Sequence, residues 1–156
     1  MADPLSIALL LGLLGAGVHP LGHVVAGSEF GIPVRVNYGQ GVEDWNTGAG
    51  DWRVQAKIHA GGFEAQNLAQ RLFPDDENLR RANAIYKALY PFMFKRVSGG
   101  RTVGDIENLQ GSTGNRQVGQ MMVADALSDL FFDNNKRDIG FRTENGTPAL
   151  MFNMRF

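Results

Sequence analysis

The sequence predicts an α+β domain with a long apolar N-terminal helix, a small antiparallel sheet of about four strands and three to four packing helices. Three observations predict it. No residue between Asp3 and Glu29 carries a fixed charge, and an apolar run of that length makes one continuous helix. Two later stretches alternate apolar and polar residues with a period of two, the mark of strands with one buried face. Between them and the C-terminus lie runs with helical spacing, bounded by prolines and aspartates. The 156 residues read as a single domain, with the apolar helix at 4–27, a strand pair and long loop at 31–59, a helical part at 62–133 and a C-terminal hairpin at 139–156.

The opening helix carries the most specific signal. His19 and His23 stand four positions apart in its second half. Residues at that spacing stack on one helix face, so both imidazoles can point at one metal ion. An ionisable group in an otherwise apolar helix is a functional hypothesis by default. Two other readings stay open. The histidines can bond backbone carbonyls, including one freed by the missing donor of Pro20, or they can ligate a haem or pigment. The segment is apolar all round, which suits a bilayer or a buried core helix. Met1-Ala2-Asp3-Pro4 ahead of it lacks the basic character of a secretory signal, so the helix is read as retained.

Past Gly31, Ile32, Val34, Val36 and Tyr38 alternate with polar partners, and Pro33 places that strand at an edge. A glycine-rich connection carries Asp44, Trp45 and Asp51. Trp52, Val54, Ala56 and Ile58 then alternate again and predict the second strand. Phe63, Ala65, Leu68, Ala69 and Leu72 share a helical face until Pro74 stops it. Asp75 and Asp76 cap the next helix, whose apolar stripe runs from Leu79 to Met93, with Pro91 kinking or ending it. Thr102 to Asp105 resembles a capping box, and the neighbouring carboxylates of Asp105 and Glu107 suit metal or acid/base work but read first as a solvated cap. A last helix spans about Arg116 to Asp133. Ile139–Thr143 and Ala149–Phe156 form a hairpin around the turn signal Asn145-Gly146.

The run His19-Pro20-Leu21-Gly22-His23-Val24-Val25-Ala26, followed by Phe30-Gly31-Ile32-Pro33-Val34, resembles the first conserved segment of the site-2 protease family of membrane zinc metalloproteases. Ile58-His59-Ala60-Gly61-Gly62-Phe63 is similar to that family's Gly-Gly-aromatic element. The resemblance implies a zinc centre with His19 and His23 as ligands and a peptide substrate or ligand. It also implies a third ligand from an aspartate on a later helix, a role for which Asp125 is the candidate although no glycine follows it. Glu64-Ala65-Gln66-Asn67-Leu68-Ala69 looks like the helix that gives soluble zinc peptidases a glutamate ligand, and makes Glu64 the leading third ligand. His59 is a further candidate. Pro20 stands where the family carries its catalytic glutamate, the general base for zinc-bound water, and proline accepts no proton. The expectation is a degenerate, non-hydrolytic member, or one whose base comes from Glu29 or Glu64.

Composition narrows the classes. The net charge of −1, with no basic stripe, argues against nucleic acid as a partner. The lack of cysteine excludes disulfides and thiolate metal sites. A mean hydropathy of −0.18 leaves at most one membrane-crossing segment. The chain is therefore expected at a membrane or in the cell envelope, meeting lipid or a partner protein through its first helix. The competing function is a non-enzymatic, membrane-attached structural or assembly subunit.

Overall fold

The computed structural model describes residues 3–37, 42–44, 51–93, 96–98, 101–131, 137–144 and 147–154. The first helical rod runs over Pro4–Ser28. It comprises α1 (Pro4–Leu13), a π-turn (Leu14–Val18) and α2 (His19–Ser28). Asp3 starts it, its carboxylate accepting from the backbone N–H groups of Leu5 and Ser6. The π-turn falls in the residues ahead of Pro20, which has no N–H to give to the turn before it. There the His19 N–H reaches back to the Leu14 carbonyl.

Four further helices pack with this rod, α3 (Trp52–Leu72) against its second half, α4 (Glu77–Met93) against its first, α5 (Asp105–Thr113) on α3 and α6 (Val118–Phe131) on α4. Asp51 caps α3 through the N–H groups of Arg53 and Val54, and Asp76 caps α4 through Leu79 N at 3.0 Å. Helix α2 lies directly on α3. A methyl group on Gly22 would sit 2.2 Å from the Gly61 carbonyl oxygen, so only glycine allows the two backbones this approach. The main core gathers Phe63, Tyr86, Tyr90, Ile106, Leu109, Val118 and Met122 from α3, α4, α5 and α6. Burying Phe63 completely contributes about 2–3 kcal/mol from apolar area alone.

The protein is mainly helical, and this overturns the expected α+β fold. Among the described residues no sheet of about four strands forms. The extended segments pair only as separate antiparallel hairpins, β1 (Arg35–Asn37) with β2 (Val42–Asp44), β3 (Arg96–Ser98) with β4 (Arg101–Val103), and β5 (Arg137–Glu144) with β6 (Thr147–Met154). Residues 52–58, read as a strand from Trp52, Val54, Ala56 and Ile58, are the first two turns of α3. Ala56, Ile58, His59, Ala60 and Phe63 are all buried there, a set that keeps helical and not period-two spacing, and the Asp51 cap supplies the start. Pro91 lies inside α4, which continues to Met93. The expected capping box is not formed, because Thr102 lies in β4 and α5 begins after Gly104 with no side-chain cap. The expectations for Tyr38, Trp45, the Asn145-Gly146 turn and Phe156 fall outside the described residues.

Candidate metal centre

His19 and His23 project from α2 into the space between α3, α4 and α5, where both are buried. Asp105, the first residue of α5, meets them there. The ligand atoms of His19, His23 and Asp105 lie within 4.8 Å of one another, so this buried group could hold a metal ion. His19 Nε2 stands 3.0 Å from Asp105 Oδ2. His23 Nε2 stands 3.2 Å from His19 Nε2 and 3.3 Å from Asp105 Oδ2. Tyr90 donates its hydroxyl proton to the same carboxylate oxygen at 2.5 Å. His59 Nδ1 lies 3.4 Å from the other oxygen, Oδ1.

The hydrogen bonds fix which atoms face inward. His23 Nδ1 is 2.7 Å from the Ile58 carbonyl, which can only accept, so Nδ1 carries a proton. Nε2 is therefore the atom that the ring turns into the centre, and it carries a lone pair whenever His23 is neutral. There it faces a carboxylate oxygen and a second imidazole nitrogen, all acceptors unless a proton or a cation stands among them. This is the donor set of a metal site with nitrogen and oxygen ligands. Burial pushes the Asp105 carboxyl upward, but the His23 charge and hydrogen bonds from His19, His23 and His59 outweigh it and hold the group well below the ordinary carboxylate value. The aspartate is thus an anion at neutral pH, as ligation requires.

Gly62 makes room for the pair. A methyl group there would lie 2.5 Å from His19 Cε1 and Nδ1 and 2.7 Å from His23 Nε2. The Ile58–Phe63 segment, singled out for its paired glycines, therefore contributes a close helix contact at Gly61, a cradle for the imidazoles at Gly62, and the Ile58 carbonyl that orients His23. Rings surround the rest of His19: Phe63 at 4.8 Å, Tyr90 at 5.2 Å and Tyr86 at 5.5 Å between centroids.

The other candidates lie elsewhere. Glu64 is half-buried on α3. Two residues beyond Gly62 in a helix, it points to a different side from the imidazole cradle and is not one of the grouped ligands. Asp125 is fully buried in α6, 2.7 Å from Lys87 Nζ, as half of an ion pair. Glu29, the other base candidate, is exposed and 3.6 Å from Lys57. The third member of the group is Asp105, whose closeness to Glu107 in the sequence suits metal or acid/base work as well as the favoured solvated cap.

The first helix keeps its outer side open. Leu5, Leu9, Leu13, Leu21 and Val25 are each more than half exposed, and the rod is long and apolar enough to cross a membrane, a property that core helices and signal sequences share. No protein-family model, no curated protein and no solved structure matches the chain, so the assignment stands on the geometry alone.

Proposed function

We propose that the chain is a zinc-binding protein of metallopeptidase-like design, held by His19, His23 and Asp105, that does not hydrolyse peptides. The observation that carries this reading is the convergence of three buried ligand atoms within 4.8 Å of one another. Two imidazoles and a carboxylate suit zinc, and the absence of cysteine removes the softer thiolate sites. When bound, the ion would supply Lewis acidity and a fixed charge. The chain's own residues orient and enclose it: Ile58 through its carbonyl, Tyr90 through its hydroxyl, and the three aromatic rings by excluding water from His19.

Hydrolysis needs a group to take a proton from the attacking water. Pro20, beside His19, offers none. Glu29 sits exposed at the end of α2, and Glu64 is turned from the imidazole cradle. The reading is therefore of a metal-stabilised or metal-sensing domain with the plan of a zinc peptidase. The open leucine row on the first helix favours a second role, attachment to a lipid surface or to a partner protein in the cell envelope, with His19 and His23 on the opposite side serving as internal reinforcement.

Metal content tests the first role. The purified protein is expected to retain one zinc per chain after dialysis and to lose it in both His23→Ala and Asp105→Asn. A wild-type protein that takes up no zinc overturns it. Measurable peptide cleavage by the zinc-loaded protein overturns the non-hydrolytic half.

A further inference from the structure

A layer of buried polar side chains runs from the centre across α3, α4 and α6. Gln66 and Asn83 are fully buried, as is Asp125. Among the described residues, the buried side-chain atoms with no hydrogen-bond partner are His19 Nδ1, both amide atoms of Gln66, Asn83 Oδ1 and Asp125 Oδ1. Such atoms are expensive to leave unsatisfied. Gln66 sits beside His19, one helical turn after Gly62, whose added methyl would touch His19 Nδ1. Helices α3 and α4 run antiparallel, with Phe63 against Tyr90 and Gln70 Oε1 accepting from Asn83 Nδ2 at 2.6 Å. That register brings Gln66 opposite Lys87, the partner of Asp125.

Gln66 Oε1 is a buried acceptor that lacks a donor, and His19 Nδ1 beside it lacks a partner. A proton on His19 Nδ1 satisfies both. A proton on Nδ1 leaves the lone pair of His19 on Nε2, the atom that faces His23 and Asp105. Were Nδ1 instead to accept from the Gln66 amide, Nε2 would carry the proton and Gln66 Oε1 would lose its donor.

We propose that Gln66 is the positioning residue of the centre, its Oε1 accepting the His19 Nδ1 proton, so that it holds the metal-binding tautomer of His19. The inference rests on the zinc reading above and extends it to a residue behind the ligands. Outer partners of this kind fix the ring orientation of metal-bound histidine, and their loss weakens metal binding by about 10–100-fold.

The test measures zinc affinity by chelator competition in the wild type, Gln66→Leu, Gln66→Glu and His23→Ala, together with the imidazole 15N spectrum of the zinc-loaded wild type. Expected are a 10–100-fold weaker affinity in Gln66→Leu, recovery of most of it in Gln66→Glu, which keeps an acceptor for His19, and a protonated Nδ1 on zinc-bound His19. Wild-type affinity in Gln66→Leu, with zinc still lost in His23→Ala, overturns the role of Gln66 and leaves the centre standing. A His19 that binds zinc through Nδ1 also overturns it, and needs no variant. Failure of the wild type itself to bind zinc overturns the centre and the positioning role together.

Discussion

Replacing Gly62 with alanine separates the metal centre from the fold that carries it. The added methyl would stand 2.5 Å from His19 Cε1 and Nδ1, whereas ordinary contact begins at 3.4 Å, so the His19 ring must retreat by about 1 Å. Metal–ligand distances tolerate only about 0.2 Å. A displacement several times larger weakens zinc binding by about 100-fold or more, beyond the usual loss of an outer partner. The stability cost is smaller, because the methyl meets side-chain rings and not backbone. Overpacking costs about 1–3 kcal/mol, and alanine returns about 1 kcal/mol of helix propensity, for a net destabilisation of about 0–2 kcal/mol. Circular dichroism gives the melting temperature and chelator competition gives the zinc affinity. A Gly62→Ala protein that binds zinc as tightly as the wild type refutes the proposal that these two imidazoles form the site.

Other perturbations follow from the same geometry. Gly22→Ala sets a methyl 2.2 Å from the Gly61 carbonyl oxygen and forces α2 off α3, whereas Gly12→Ala meets nothing within 4 Å. Thermal melting is expected to fall by at least the equivalent of about 1–3 kcal/mol in the first and to rise by about 0.5–1 kcal/mol in the second. Lys87→Met strands a buried Asp125 carboxylate and should cost about 3–5 kcal/mol in urea unfolding, most of it recovered in the Lys87→Met/Asp125→Leu double variant. Asp105 has a folded-state pKa below its usual 3.8. Its contribution to metal-free stability is therefore complete above that value and is lost as the pH falls from there toward the lower folded value. Urea unfolding against pH should show this acid-side loss in the wild type and a flatter curve in Asp105→Asn.

The residues explain which parts of the protein could be read from its sequence. The opening helix and the imidazole pair were legible because both are local: an uncharged run sets the helix, and a spacing of four sets the shared face. The caps at Asp51 and Asp76 are local too, but Asp51 ends a glycine-rich stretch that reads as a loop, and without a cap the alternation of Trp52, Val54, Ala56 and Ile58 reads as a strand. Burial decides that segment, since His59, Ala60 and Phe63 continue one buried side of a helix into the core. The period-two signals of β1 and of the β5–β6 hairpin are local and do not say whether the strands join one larger sheet, whereas β2 falls in the glycine-rich connection and β4 in the expected capping box. Asp105 is the clearest limit. Its neighbours Gly104 and Glu107 make an ordinary helix start, and its place beside His19, 86 residues earlier, is set by how α5 packs on α3. Glu64 reads as a ligand because a glutamate on a helix after an imidazole pair is a recognisable pattern. Two residues of helical rotation from Gly62 turn it from the cradle.

The most direct measurement of the central claim is anomalous diffraction at the zinc absorption edge from crystals of the zinc-loaded protein. The account predicts one peak between His19 Nε2, His23 Nε2 and the Asp105 carboxylate, at about 2.0–2.2 Å from each ligand atom. A peak elsewhere, or three side chains bonded only to one another in the presence of zinc, contradicts it.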